Sequence, residues 1–359
     1  MADTQFGTND SLTVKLWARK LFHEALKETW FSKFIGEGTD SLIQKKTETQ
    51  KMAGDRIRVG LRMQLAGAGI QGTGTMEGSE EALTTYSDDL LINYLKNAVR
   101  WDSSISQQRV AFDLRDEANM ALKDWWSDRF DTAFMNQLAG NTGQSDTRYT
   151  GNNATIAPSA TRLITCGPNL DTTEASLSAS TTFALQFRDI DRAVAMAKTA
   201  TPLIRPLKVN GEERYVMFIH PFQTFQLRRD TSTNNFMDIA KAALQGAQAA
   251  GKAAIYDGAL GVYNGVILHE ATRIPIITGT PNSGAAAAFR RAVFCGAQAG
   301  VMAFGQKTPS ATEMSWKEQE FDYGDKIGVK GGSVFGIKKT VFNSVDFGVI
   351  AVSGYAPTV

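Results

Sequence analysis

Gly67, Gly69 and Gly72 stand in a literal GxGxxG spacing after an alternating apolar run, and Asp88 and Asp89 follow near the distance of a ribose-binding carboxylate. That spacing belongs to dinucleotide binding, where the third glycine opens a helix whose N-terminus faces a pyrophosphate. Here Thr73, Gly74, Thr75 and Gly78 come next, a composition that no helix start favours. The glycines therefore read as the tip of an extended hairpin, where small residues let the chain bend and lie close to another backbone.

Other chemistry-bearing residues are sparse. His23, His220 and His269 are too scattered for a histidine metal cluster, and neither Cys166 nor Cys295 has a ligand partner at zinc-site spacing. The two cysteines read as free thiols of a reducing compartment. No GxSxG elbow marks a serine nucleophile. His220, before Pro221 at a strand end, reads as a packed or hydrogen-bonded structural residue. The pair Trp125 and Trp126 could stack on bases, but Asp124 and Asp128 flank it, and packing explains both rings better. No catalytic residue, cofactor or metal is expected.

Composition agrees with that reading. Lysine plus arginine (38) nearly balances aspartate plus glutamate (37), so the chain lacks the large positive field that gathers phosphate backbones. The hydrophobic fraction of 43% and charged fraction of 21% are those of a folded globular chain, and 359 residues suffice for two or three compact units. The opening MADTQFGTND lacks a basic n-region and an apolar h-region, and no apolar run approaches the roughly 18 residues that span a bilayer. Neither secretion nor membrane insertion is expected.

Periodicity supplies the elements. From Ser11 to Trp30, Val14, Trp17, Ala18, Leu21, Ala25 and Leu26 share one helix face, with Asn9, Asp10 and Ser11 offering cap oxygens. Between Ile43 and Leu65 the pattern alternates: Ile57, Val59, Leu61, Met63 and Leu65 point one way, and Arg56, Arg58, Arg62 and Gln64 the other. The segment from Leu83 to Trp101 reads as the returning strand, while SEEALTTYSDDLLINYLKNAV also carries helix-compatible spacing. The strongest helix runs from Asp113 to Leu138, with Leu114, Ala118, Ala121, Leu122 and Trp125 in a stripe that Trp126, Phe130, Phe134 and Leu138 continue. Asp113 and Asp116 resemble a capping box, Gly140 ends the helix, and its length is roughly 40 Å.

Residues 141–182, rich in Ser, Thr, Asn and Gly, read as a polar surface excursion. An αβ pattern follows: a helix over Phe183–Lys198, a strand over Tyr215–His220, a short helix in PFQTFQLRRD and an Ala-rich helix over Phe236–Ala250. Strands are expected at Val262–His269, Ile274–Thr278 and Ala292–Cys295, and alternation returns from Glu313 to Ala356.

This order of elements resembles the major capsid proteins of tailed bacteriophages, Caudoviricetes, with the fold named after phage Hong Kong 97. The stretches FSKFIGEGTDSLIQKKTETQKMAGDRIRVGLRMQLAGAGIQG, DLRDEANMALKDWWSDRFDTAFMNQLAG, YDGALGVYNGVILHE and GSVFGIKKTVFNSVDFGVIA look like the capsid family of short-tailed phages that package a virion RNA polymerase. The resemblance covers most of the chain outside residues 141–182, and the glycine-rich hairpin and GALGVYNGV are its most specific parts.

The resemblance implies an α+β fold: an N-arm over residues 1–42, an extended loop over 43–101, a peripheral domain with the spine helix over 102–200, an axial α/β domain over 201–310, and a β-rich return to the peripheral domain over 311–359. It implies no enzyme but a virion protein that assembles, in the host bacterial cytoplasm, into pentamers and hexamers of an icosahedral shell around double-stranded DNA. Portal, scaffolding and decoration proteins are the implied partners, with no sequence-specific DNA binding and no membrane.

Within that scheme Arg56, Arg58, Arg62, Met63, Gln64, Gly67, Gly69 and Gly72 would make inter-subunit contacts from the loop, the three arginines with acidic groups of a neighbour. Leu16, Trp17 and Phe22 would do so from the N-arm, and Leu122, Trp125, Trp126 and Phe130 would pack the spine. Some shells of this fold are crosslinked through a loop lysine. No lysine lies between Lys51 and Lys96, so a non-covalent shell is expected. The rival readings are an oligomeric α/β enzyme, which needs a concave site of convergent polar groups, and a DNA-binding packaging protein.

Overall fold

A computed structural model describes residues 30–46, 55–101, 114–169, 171–209, 211–229, 259–277, 289–305, 314–323 and 326–357. Residues 11–29 of the helix expected up to Trp30, Asp113 with its capping box, and the Ala-rich helix over Phe236–Ala250 lie outside these residues.

The element expected most firmly from periodicity is present as α1, Leu114–Leu138. Leu122, Trp126, Phe130 and Phe134 are buried along it at spacings of four. Trp125 is half-buried, edge-on to Trp126 at 5.0 Å between ring centroids. Ala121, expected in the same stripe, is exposed, because the buried face follows the large rings and Ala121 falls outside it. The helix ends as Gly140 predicts. The Asn141 N–H donates to the Asn136 carbonyl and the Gly140 N–H to the Gln137 carbonyl, while Gly140 takes a φ of 61°.

Two sheets flank this helix. The six-stranded one comprises β1 (Ile35–Gly36), β2 (Ile43–Lys46), β5 (Asn93–Trp101), β12 (Gly300–Gly305), β13 (Met314–Phe321) and the 14-residue β14 (Lys326–Lys339). One edge of β14 carries β13 and then β12; the other carries β5. Strands β3 (Arg56–Arg62) and β4 (Thr85–Leu91) form a separate antiparallel hairpin.

The seven-stranded sheet is ordered β6 (Leu163–Thr165), β15 (Val349–Tyr355), β11 (Phe289–Cys295), β8 (Glu212–Ile219), β10 (Val266–Glu270) and β9 (Ala259–Tyr263), with β7 (Leu207–Val209) paired to β8. Helix α2 (Phe187–Thr199) lays Ile190, Ala193, Val194 and Ala197 against Met217, Ile219, Phe294, Ile350 and Val352 of this sheet. Helix α3 (Pro221–Arg229) follows β8 directly.

The main core forms where α1 meets both sheets. Trp126 and Phe130 pack edge-on against Phe335 of β14, and Phe134 meets Phe31, which meets Phe218 of β8. Such rings supply most of the apolar area of a core. Asp131, buried in this stripe, accepts the N–H groups of Trp30 and Phe31 and the guanidinium of Arg273.

The structure corrects several expectations. Residues 141–182 are not a surface excursion: Thr150 to Asn153 are buried, and β6 is a strand of the larger sheet. Their burial is polar. The Gln137 amide donates to the Thr150 and Asn153 carbonyls, and the Asn152 amide to the Phe335 carbonyl at 2.8 Å, so backbone groups replace apolar contacts.

The return from the hairpin is two strands, broken at Ile92, because β5 leaves β3 for β14. Likewise β2 belongs to the six-stranded sheet rather than to the hairpin. The strand expected over Val262–His269 is a pair, β9 and β10, turned at Asn264 and Gly265, both with positive φ. Of the strand expected over Ile274–Thr278, the described residues, which end at Ile277, form the bridge from Ile276 to Arg290.

Candidate assembly surface

The hairpin β3–β4 has two unlike faces. Its register sets Ile57 opposite Leu90, Val59 opposite Asp88 and Leu61 opposite Tyr86 on one face, with Arg58 opposite Asp89 and Arg62 opposite Thr85 on the other. The alternation in the sequence is thus real, and Ile57 and Leu90 seat the hairpin root on Val301, Ala303 and Val334 of the six-stranded sheet, together with Ile92.

Polar groups fasten the same root. Asp88 lies on the inward face, where the Lys338 ammonium donates to one carboxylate oxygen and the Val341 N–H to the other. At the hand-over to β5 the backbone of Leu91 crosses β14 over Gly336, where a Cβ would press into the Leu91 carbonyl oxygen. Only glycine permits that crossing.

Towards the tip the support ends. Leu65, Met76 and Leu83 are 59%, 57% and 59% exposed, and Ile70 is exposed as well. The tip keeps its shape through local hydrogen bonds. Glu81 accepts the N–H groups of Ala66 and Gly67 at 2.8 and 2.6 Å, and these two donors hold its carboxyl below the usual range. Gly69, Gly72 and Gly78 take φ values of 70°, 71° and 88°. No helix follows Gly72 within the described stretch, so the GxGxxG spacing has no pyrophosphate-facing helix and shapes a loop instead.

The expected contact residues divide accordingly. Arg56, Arg62 and Gln64 are exposed, as are Gly67, Gly69 and Gly72, and Met63 is half-buried. Arg58, expected to reach a neighbour, is engaged within its own hairpin: its guanidinium donates to both Asp89 oxygens at 2.7 and 3.0 Å and keeps that carboxyl below its ordinary value. The reason is register, which puts the two side chains directly across the ladder. Leu122, Trp126 and Phe130 are buried in the spine core and Trp125 lies at its edge. Leu16, Trp17 and Phe22 lie outside the described residues.

Sequence reading missed Asn153, Lys338 and Gly336. A usable signal existed only for Asp88, an acid at an apolar position of the alternating TYSDDLL. His220 is buried, and its Nδ1 accepts the Phe222 N–H at 3.1 Å. Both cysteines are free and buried. Among the described residues no three His, Cys, Asp or Glu side chains gather as a metal site.

Known proteins align with the whole of this architecture. A family model described as phage capsid protein matches residues 5–358. The major capsid protein of Pseudomonas phage KPP25 is 26% identical over 96% of this chain and 95% of its own length. Among solved structures, the capsid of Ralstonia phage GP4 superposes with a TM-score of 0.78 at 30% identity, covering 99% of this chain and 96% of that one. The capsid of cyanophage Pam1 shares the fold, with a TM-score of 0.73 at 19% identity over 99% and 96% of the two chains.

Proposed function

This chain belongs to the phage capsid protein family, and from that premise we infer that it is a major capsid protein, a structural component of the virion that tiles with copies of itself into an icosahedral shell. The observation that carries the mechanism is the hairpin, rooted in its own subunit and unsupported at its tip. A two-stranded ribbon with exposed apolar residues gains stability by lying on another surface. In the shell that surface is the adjacent subunit, so ordering of the tip is coupled to assembly.

The same reading assigns Arg56, Arg62, Met63, Gln64, Gly67, Gly69 and Gly72 to inter-subunit contacts, and gives Leu16, Trp17 and Phe22 that role in the N-terminal arm. Pentamers and hexamers are the building units. The six-stranded sheet with α1 is assigned to the peripheral domain and the seven-stranded sheet with α2 to the axial one. This moves Leu163–Thr165 and α2, expected within the peripheral 102–200, and Val349–Tyr355, expected in the return over 311–359, into the axial domain, and Gly300–Gly305, expected within the axial 201–310, into the peripheral one. The shell encloses double-stranded DNA without sequence-specific contacts, assembles in the host cytoplasm with portal, scaffolding and decoration proteins, and is held non-covalently, since residues 52–95 contain no lysine.

Electron microscopy of the purified protein tests this directly. Capsomers or closed shells are expected; small defined oligomers without shells overturn the reading. Virions boiled in denaturant should run as one band near the monomer mass, and a ladder of linked species would refute non-covalent closure. Replacing both Gly69 and Gly72 with Val forces β-branched side chains into positive φ and should leave the subunit folded while impairing shell formation. Normal particles in good yield would count against the role of the tip.

A further inference from the structure

The hairpin root covers only part of the outer face of the six-stranded sheet. Beyond Val334 that face continues through Tyr94, Lys96, Ala98 and Arg100 on β5, Gly328, Lys330 and Gly332 on β14, and Ser315, Lys317 and Gln319 on β13. Register builds three rows across it: Lys317, Lys330, Ala98; Gln319, Gly328, Arg100; and Ser315, Gly332, Lys96. The acids of β13, Glu318 and Glu320, alternate to the other face, where Glu318 accepts the Arg115 guanidinium of α1. Among the described residues, the three rows hold four cations and no carboxylate.

The surface is built as a floor. A Cβ at Gly332 would come within 2.5 Å of the Tyr94 hydroxyl and one at Gly328 within 3.0 Å of the Phe321 ring, so both aromatic side chains lie down over glycines. The Lys330 ammonium stands 5.5 Å from the Tyr94 ring centroid and the Arg100 guanidinium 5.5 Å from that of Phe321. Lys317 and Lys330 face each other directly, a pairing of like charges that costs stability unless an anion arrives between them.

The complement exists in the same chain. Between Arg62 and Lys96 there is neither lysine nor arginine, and the exposed tip carries Glu77, Glu80 and Glu81 beside Met76 and Leu83. We propose that the basic outer face of Lys96, Arg100, Lys317 and Lys330 seats the acidic hairpin tip, Glu77 to Glu81, of a neighbouring copy of this chain. The exposed Met76 then meets the aromatic floor, a contact that sulfur and ring both favour. This assignment rests on the reading that the hairpin crosses onto the next subunit, and names where it lands. Phosphodiester backbone is the other polyanion such a face could hold; the acid-only tip, in a chain of nearly zero net charge, favours the protein partner.

A charge swap tests the seat, scored as particles formed in infected cells supplied with each variant of the full chain. Glu77→Lys with Glu80→Lys, and separately Lys317→Glu with Lys330→Glu, should each lower shell yield at least tenfold, and the four changes together should restore it. Failure of the combined chain to recover, or normal shells from the Lys317→Glu, Lys330→Glu chain, overturns the proposal. So do shells of that chain that form in full number but protect no DNA from nuclease, which would assign the face to the genome. Replacing residues 64–83 with a short turn separates the two levels. Normal shells from that variant sink the hairpin reading itself, whereas their loss beside normal shells from the sheet variant sinks only the seat.

Discussion

The side-chain amide of Asn153 completes both backbone groups of Leu91, accepting its N–H and donating to its carbonyl, each at 2.9 Å. Leu91 is the last residue of β4, where the chain leaves the hairpin to cross β14. Asn153→Ala leaves both groups without that partner and should destabilise the subunit by about 2–3 kcal/mol in denaturant unfolding. Asn153→Asp keeps the acceptor but turns an oxygen onto the Leu91 and Gly151 carbonyls, and should lose at least as much. An alanine variant within roughly 0.5 kcal/mol of wild type would show that Leu91 needs no such clamp.

Gly336→Ala probes the crossing itself. The added methyl meets the Leu91 carbonyl and also nears Ile92, so the hairpin root must lift from β14. About 3 kcal/mol of destabilisation is expected, with shell yield falling in parallel. An unchanged unfolding midpoint with normal particles would mean that the crossing has slack.

Lys339 and Asp346 form an ion pair at 2.8 Å with both side chains 1% exposed. Lys339→Met strands a buried carboxylate and should cost about 3–5 kcal/mol, whereas Lys339→Met with Asp346→Leu should lose far less than the two single changes summed. Additive losses in the double-mutant cycle would contradict a coupled buried pair.

Burial, reinforced by the Arg290 guanidinium, pushes the His220 imidazole down to about 4 from its ordinary 6.5. Its Nδ1 must stay unprotonated to accept the Phe222 N–H. The unfolded chain therefore takes up the proton first, and stability should fall as pH drops from about 6.5 towards 4. His220→Asn retains an acceptor without titrating, so the slope of stability against pH in that window should shrink by up to one proton. An unaltered slope would place the titration elsewhere.

What the sequence disclosed follows the kind of burial involved. Helix α1 buries large apolar residues at regular spacing, and strand β3 alternates an apolar face with a charged one, so periodicity finds both. Residues 141–182 bury Asn152 and Asn153 through amide bonds to distant backbone, which leaves no periodic trace. The bond from Arg58 to Asp89 depends on register across a ladder, which spacing along the chain does not reveal. The basic face is invisible for the same reason, since Lys96, Lys317 and Lys330 become neighbours only when β5, β14 and β13 align.

The placement of β2 carries a consequence for how the molecule comes into being. Ile43 lies alongside Gly300, in a parallel pairing between the two ends of the chain. A nascent polypeptide leaving the ribosome cannot finish that sheet until its final segments emerge, and contacts so remote in sequence form slowly. Until then the early strands wait with open edges, the condition under which chains aggregate. For a shell protein the exposed stage is thus synthesis itself, and the length of that exposure is written in the order of its strands.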